Sequence, residues 1–305
     1  MTPLDQASAI LLIGSIAGLV GAVVFALMRR GRPGGLSSRT VLARGGSYAL
    51  LALLLNAAAR TGVPGMVILT GAMSAAGLYE WGRMFGLPRH HRIAIIVAGL
   101  LIIGGIGREG VHATDWLVGG LVLVGALWPV VRSDTGRAIR DLGTAAVGVA
   151  LIPVLLAHGV ALVVERGGAG GALFLALATA CAFSDVAAFV VGKTWGRHQL
   201  APTLSPNKTR EGMAGNVAGA ALGLAVFTPA LAAPYGAPFL VSMVPLVALG
   251  SVWGDLLESA AKREAGVKDA GRWLPGFGGI LDRIDSLLIT VALAYWIARL
   301  AGVPL

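Results

Sequence analysis

Residues 143–191 read GTAAVGVALIPVLLAHGVALVVERGGAGGALFLALATACAFSDVAAFVV, two long apolar runs parted by a glycine-rich break. A helix needs about 20 apolar residues to cross the hydrocarbon core of a bilayer, and the runs 143–164 and 171–191 both meet that length. Between them Gly167, Gly168, Gly170 and Gly171 make a short connecting loop, expected on the outer side of the membrane. The second run contains one carboxylate, Asp185, just after Ser184. An acid at that depth is costly unless compensated, so Asp185 marks either a functional site or a buried pair with a neighbouring helix.

Further runs of the same kind lie outward on both sides, at 8–28, 45–59, 64–82, 93–107, 116–131, 213–231, 239–254 and 286–303. Of the 305 residues, 56% are hydrophobic and 13% charged, whereas a soluble domain carries roughly a quarter charged residues. The sequence therefore predicts an all-α, polytopic integral membrane bundle. About ten transmembrane helices are expected, with eight or nine as alternatives, because several runs fall short of roughly 17 residues. The first run has no basic stretch before it and is followed by Arg29 and Arg30, so it reads as a span and not as a cleaved signal. The 45 glycines show no three-residue period. They suit close helix packing, and Gly215, Gly219 and Gly223 form one smooth helix face. One polytopic domain, 1–305, is expected, with variable helices over 1–170 and a catalytic part over 171–305.

Charge gives the orientation. Of the 24 Lys and Arg, only Arg60, Arg108, Arg166 and Arg299 fall outside the loops 29–44, 83–92, 132–142, 192–212 and 255–285. Those loops alternate along the chain, so the positive-inside rule puts them in the cytoplasm and both termini outside. The net charge of +9 is thereby explained as topology, and nucleic acid is not an expected partner. Cys181 stands alone and the five histidines have no zinc spacing, which leaves no thiolate or histidine cluster.

The polar residues that packing does not explain gather in the last two cytoplasmic loops. Residues 254–286 read GDLLESAAKREAGVKDAGRWLPGFGGILDRIDS. If the region after Trp253 continues as helix, Asp255, Ser259 and Lys262 share a face at i, i+4 and i+7. After the Pro275–Gly276 and Gly278–Gly279 break a new helix is expected near Ile280, with Asp282 and Asp285 on its first turns and Ser286 beside them. Asp255, Asp282 and Asp285 converging at the mouth of apolar helices are the expected metal ligands. An oxygen-only set suits Mg²⁺, alone or with a second cation.

A second group is Ser205-Pro206-Asn207-Lys208-Thr209-Arg210-Glu211-Gly212. Pro206 and Asn207 favour a turn. Ser205, Asn207, Lys208, Thr209 and Arg210 then offer cations and hydroxyls to a triphosphate or a phosphate head group. Gly192-Lys193-Thr194 resembles the end of a Walker A loop, but Ala187 stands where its glycine is required and the context is an apolar helix.

These residues resemble the phosphatidate cytidylyltransferase family, whose signature looks like S-x-x-K-R-x4-K-D-x5-P-G-H-G-G-x-x-D-R-x-D. Ser259, Lys262, Arg263, Lys268, Asp269, Pro275, Gly276, Gly278, Gly279, Asp282, Arg283 and Asp285 match it in order, after the Gly254-Asp255 pair. Ser205, Pro206, Lys208, Thr209, Glu211 and Gly212 match the family's Ser-Pro-x-Lys-Thr-x-Glu-Gly motif, and Asp185 precedes a similar Gly192-Lys193-x-x-Gly196 turn. The likeness is strong over about 180–290. One position departs: Phe277 stands in place of the family's histidine, and a phenyl ring can neither move a proton nor bind a metal.

The resemblance implies transfer of CMP from CTP to phosphatidic acid, giving CDP-diacylglycerol and pyrophosphate, at an active site facing the cytoplasm in a bacterial inner membrane. It implies Asp255, Ser259, Lys262, Asp282, Arg283 and Asp285 as catalytic. It implies Asp185, Ser205, Asn207, Lys208, Thr209, Arg210, Lys268, Asp269, Gly278 and Gly279 as substrate-binding, and a homodimer in membrane lipid. The alternatives are a CTP-dependent lipid alcohol kinase of the dolichol or phytol kinase type, and a non-catalytic divergent membrane protein. The pattern of a CDP-alcohol phosphotransferase is missing from the chain.

Overall fold

The computed structural model describes residues 1–28, 38–132, 136–271 and 278–300. The chain forms α1 (Pro3–Met28), α2 (Ser38–Arg60), α3 (Val63–Met84), α4 (Arg89–Glu109), α5 (Ala113–Arg132) and α6 (Ala138–Val149). A π-helical turn (Ala150–Val154) leads into α7 (Leu155–Trp195), followed by β1 (Gln199–Ala201) and β2 (Ser205–Thr209). The chain continues through α8 (Arg210–Val226), α9 (Thr228–Tyr235), α10 (Ala237–Glu264) and α11 (Leu281–Leu300). Among the described residues four helices are long and apolar enough to cross a membrane, or five if α8 and α9 make one bent span. Ile13, Ile68, Leu123 and Val241 lie exposed on helix surfaces, an arrangement stable against lipid and unfavourable against water.

The 143–191 stretch is the centre of the bundle. Its helix runs from Ala138 to Trp195 with Pro153 inside the π turn, where a wider turn frees the carbonyl that the ring would strike. At Gly167 the backbone leaves the helix (φ 53°, ψ −126°), a conformation that costs glycine least. The chain reverses there. Gly159 on the first arm touches Phe174 on the second, 2.7 Å from where a Cβ would stand, so the arms pack antiparallel. Phe174, Leu162 and Leu173 are fully buried around this turn.

Glycines set the closest approaches elsewhere. Gly215, Gly219 and Gly223 of α8 lie on α7, and a Cβ at Gly223 would stand 2.6 Å from the Ala180 Cα. Gly250 of α10 faces Thr290 of α11, with the Thr290 Oγ1 2.6 Å from a Cβ, and Gly254 lies on the backbone of Asp285 and Ser286. Small residues permit this approach, and packing in lipid depends on it. Two close helix pairs therefore bring the acids of α7, α10 and α11 to one end of the bundle.

Two local expectations are corrected. The 213–231 run is broken at Phe227, where α8 and α9 meet at 80°; Pro229 directly after the break cannot continue the α8 hydrogen-bond ladder. Residues 205–209, read as a turn on Pro206 and Asn207, are the strand β2, paired antiparallel with β1 in the register Gln199↔Thr209 and Ala201↔Ser205. The turn lies at 202–204. Pro206 is tolerated because this hairpin is all edge, and its carbonyl accepts from Gln199 Nε2 at 3.1 Å. The bundle is thus nearly, not wholly, helical.

Candidate active site

Asp185 projects from the second arm of α7 towards α10 and α11. Its Oδ1 accepts from Ser251 Oγ at 2.6 Å and its Oδ2 from Ser286 Oγ at 3.3 Å. Asp255, one turn beyond Ser251 on α10, accepts from the same Ser286 hydroxyl at 3.3 Å and pairs with Lys208 of β2. Asp255 and Asp285 lie within hydrogen-bonding reach of each other, and Asp285 accepts from the Ser286 N–H at 2.8 Å. Asn216 of α8 completes the group by donating to Ser251 Oγ at 3.3 Å. Asp185 thus sits in a polar cluster shared with α8, α10 and α11. A hydroxyl has one proton to donate, so Ser286 satisfies one of its two carboxylates at a time. Three carboxyl groups against the one ammonium of Lys208 leave an excess of negative charge in a poorly solvated place, which attracts a cation.

Lys262 and Asp282 form a neighbouring group. Lys262 Nζ donates to Glu258 Oε2 at 2.6 Å and to Asp282 Oδ1 at 2.8 Å, and Asp282 Oδ2 accepts the Gly279 N–H at 2.7 Å. Helix α10 does run through this region, so Asp255, Ser259 and Lys262 follow the expected spacing. The acids are divided differently from the expectation, however: Asp255 and Asp285 stand with Asp185, while Asp282 stands with Lys262 and Glu258. Among the described residues no three His, Cys, Asp or Glu side chains are grouped to hold a metal ion by themselves.

Beneath the hairpin is a cavity of about 750 Å³, lined by Asp185, Asp255, Lys193, Arg197, Ser205 and Lys208 among others. That volume is in the range of sites for small organic ligands, and a lining that carries both acids and cations suits a polyphosphate carrying a metal. The hairpin is fixed at its base. Thr209 caps α8 by accepting from Gly212 N at 3.1 Å, and Gly192 and Gly196 leave room for its side chain. Glu211 accepts from the backbone of Arg197 (3.0 Å) and His198 (3.2 Å) and from His198 Nδ1 (2.6 Å).

The remaining expected residues are placed as follows. Ser259 and Arg283 are half-buried, on α10 and on the first turn of α11; Asn207, Arg210, Lys268 and Asp269 are exposed. Gly278 has φ +86°, which strains any L side chain, and its Cα faces Asp282. Pro275, Gly276 and Phe277 lie outside the described residues. Sequence reasoning missed Ser251, Asn216, Glu258 and Glu80. Glu258 carried a signal, four residues before Lys262 on one helix; Ser251 likewise sits four residues before Asp255.

A helical membrane bundle with a carboxylate–lysine cluster under a nucleotide-sized cavity defines a class of membrane enzyme acting on phosphates. The chain belongs to the cytidylyltransferase family, which it matches over residues 41–301. The match reaches well upstream of the 180–290 stretch. It is 33% identical over 254 residues to a phosphatidate cytidylyltransferase of Brucella suis biovar 1, covering 79% of this chain and 86% of the relative. It is 34% identical over 199 residues to the protein of that name from Mycobacterium tuberculosis H37Rv, covering 59% of this chain and 57% of the relative.

Proposed function

We propose that this membrane protein is a CTP:phosphatidate cytidylyltransferase. A phosphate oxygen of phosphatidic acid attacks the α-phosphorus of CTP, the bond to the β-phosphate bridging oxygen breaks, and CDP-diacylglycerol and pyrophosphate result. The observation that carries the reading is the cavity under the hairpin, lined by Asp185 and Asp255 together with Lys193, Arg197 and Lys208. The names of the relatives supply the substrates.

The nucleophile is already an anion, so no general base is needed. Two anions must be held together, which makes charge neutralisation and alignment the main contributions. Lys208 and Arg210 take the triphosphate, and Ser205 and Asn207 orient it. Arg283 neutralises the lipid phosphate, Lys262 offsets Glu258 and Asp282 beside it, with Ser259 on the same helix, and Gly278 and Gly279 let the start of α11 come close. The oxygen-only donors fit Mg²⁺, which uses one or two carboxylates and completes its shell with water and substrate phosphates; Asp255 of α10 and Asp285 of α11 would hold it, with Asp282 one turn before Asp285. When bound, the metal neutralises charge on the phosphates and on departing pyrophosphate.

We place the cavity on the cytoplasmic side of the bacterial inner membrane, with ten crossings. The reversal at Gly167 supports reading the 58-residue helical stretch as two crossings, and the loop charges alternate as a ten-span chain requires. Purified protein in detergent, given CTP, Mg²⁺ and phosphatidic acid, should release pyrophosphate and form CDP-lipid. Release of CDP with a lipid alcohol, and no pyrophosphate, would overturn this in favour of the kinase. Full activity in Asp255→Ala or Asp282→Ala would sink the assigned roles.

A further inference from the structure

Glu80 sits on α3, in the half of the chain that the motifs leave out, and is only 2% exposed. Its two carboxylate oxygens accept the backbone N–H groups of Ile280 (3.0 Å) and Leu281 (2.9 Å), 200 and 201 residues further along the chain. These lie at the start of α11, where a helix leaves N–H groups without internal partners. Asp282 takes the preceding N–H, that of Gly279, from within the helix. The start of α11 is thus capped jointly by its own Asp282 and by a carboxylate from a distant helix, whose charge also faces the positive end of the helix dipole.

Two glycines are shaped around the same carboxylate. A Cβ at Gly279 would stand 2.6 Å from both Glu80 oxygens, and one at Gly271 would overlap the carboxylate. Neither glycine has a positive φ, so space and not backbone conformation excludes a side chain there. Glu80 therefore meets the chain on both sides of the 272–277 segment, at the residues leading into the helix that carries Asp282 and Asp285.

We infer that Glu80 is a positioning residue for the proposed cytidylyl transfer: it fixes the start of α11 and so sets where Asp282 and Asp285 stand. The inference rests on the proposed function for its catalytic part. The cavity residues Asn207 and Lys208 lie on β2, away from α11, whereas Asp185 and Asp255 reach it through the Ser286 hydroxyl, so the loss should fall mainly on turnover and much less on CTP binding.

The test compares wild type, Glu80→Gln and Glu80→Ala in detergent, with rates expressed per CTP-binding site counted by titration calorimetry. Glu80→Ala should lower kcat by roughly tenfold to a hundredfold, the usual cost of losing a partner that orients a site carboxylate, with KM for CTP changed far less. Glu80→Gln retains one acceptor and should lose less. An unchanged kcat per site, or equal losses in the two variants, would overturn the inference. A second arm needs no substrate: Gly271→Ala should lower the melting temperature in wild type and much less in Glu80→Ala, and additive losses would refute the contact. The two failures are distinguishable. No turnover with coupled stability losses rejects the proposed reaction, whereas turnover with additive losses rejects the role of Glu80.

Discussion

Lys208 shows how much of the site one side chain carries. It reaches from β2 to pair with Asp255 of α10, and it stands on the wall of the cavity. A hydrogen bond to a charged group contributes about 1.5–3 kcal/mol, so Lys208→Ala should lower kcat/KM for CTP by roughly tenfold to a hundredfold. Steady-state kinetics at varied CTP would read this, and an unchanged value would remove Lys208 from the nucleotide site. Lys262 is different in kind. It compensates Glu258 and Asp282 together, with side-chain exposures of 15%, 7% and 9% for the three residues. Lys262→Met keeps the apolar stem but leaves two buried acids without their cation, a loss of about 3–5 kcal/mol. A fall in melting temperature should therefore accompany its loss of activity, whereas the exposed Lys268→Ala should leave stability as it is.

At the level of elements, the site is assembled by two helix pairs that glycines bring into contact. Asp185 of α7 reaches Ser251 and Ser286 together because α10 lies flat on α11, and α8, flat on α7, brings Asn216 to the same Ser251. A side chain at Gly223 would have to displace the Ala180 backbone, and one at Gly250 the backbone of Thr290. Gly223→Leu and Gly250→Val should each cost on the order of 1–3 kcal/mol by overpacking, read as a lower melting temperature in detergent. Gly250→Val should also depress turnover, since it parts the helices that hold Asp255 and Asp285. Substitution at Gly104, where a Cβ meets nothing within 4 Å, should do neither.

At the level of the whole molecule, the two ends of the bundle differ in chemistry. One end holds the hairpin, the cavity and the acid–lysine groups. The other holds Arg60 paired with Asp5 at 3.3 Å, the hydrogen bond from Tyr295 to Glu165 at 2.5 Å, and Arg166 stacked 4.7 Å from the Tyr235 ring. The proposed topology of ten crossings puts Lys268 in the cytoplasm and Glu109 outside. In intact cells a membrane-impermeant maleimide should label Glu109→Cys, and Lys268→Cys only after lysis. The native Cys181 is buried and gives no background. Reversed labelling would overturn the orientation, and labelling of both from outside would overturn the odd number of spans between them.

The membrane class, the helix-dense architecture and most of the residues in the site follow from the sequence alone. Hydrophobic length is a local property, and so are the spacing of Asp255, Ser259 and Lys262 on one helix and the start of α11 beside Ile280. The turn expected at Pro206 failed because strand pairing with Gln199–Ala201 outweighed the local preference, a contest between partners that a single segment does not reveal. Only the tertiary structure decided which acids stand together. Spacing suggested Asp255, Asp282 and Asp285 as one set, but the direction of each side chain depends on the helix packed against it, and this put Asp185 with the first and third and Lys262 with the second. Glu80 is the extreme case. In sequence it is one acid in an apolar run with no motif about it, and its partners are backbone N–H groups, which carry no residue identity to read. Its place was decided when α3 packed beside the start of α11, because a buried carboxylate and an uncapped helix end each lacked the partner that the other provides.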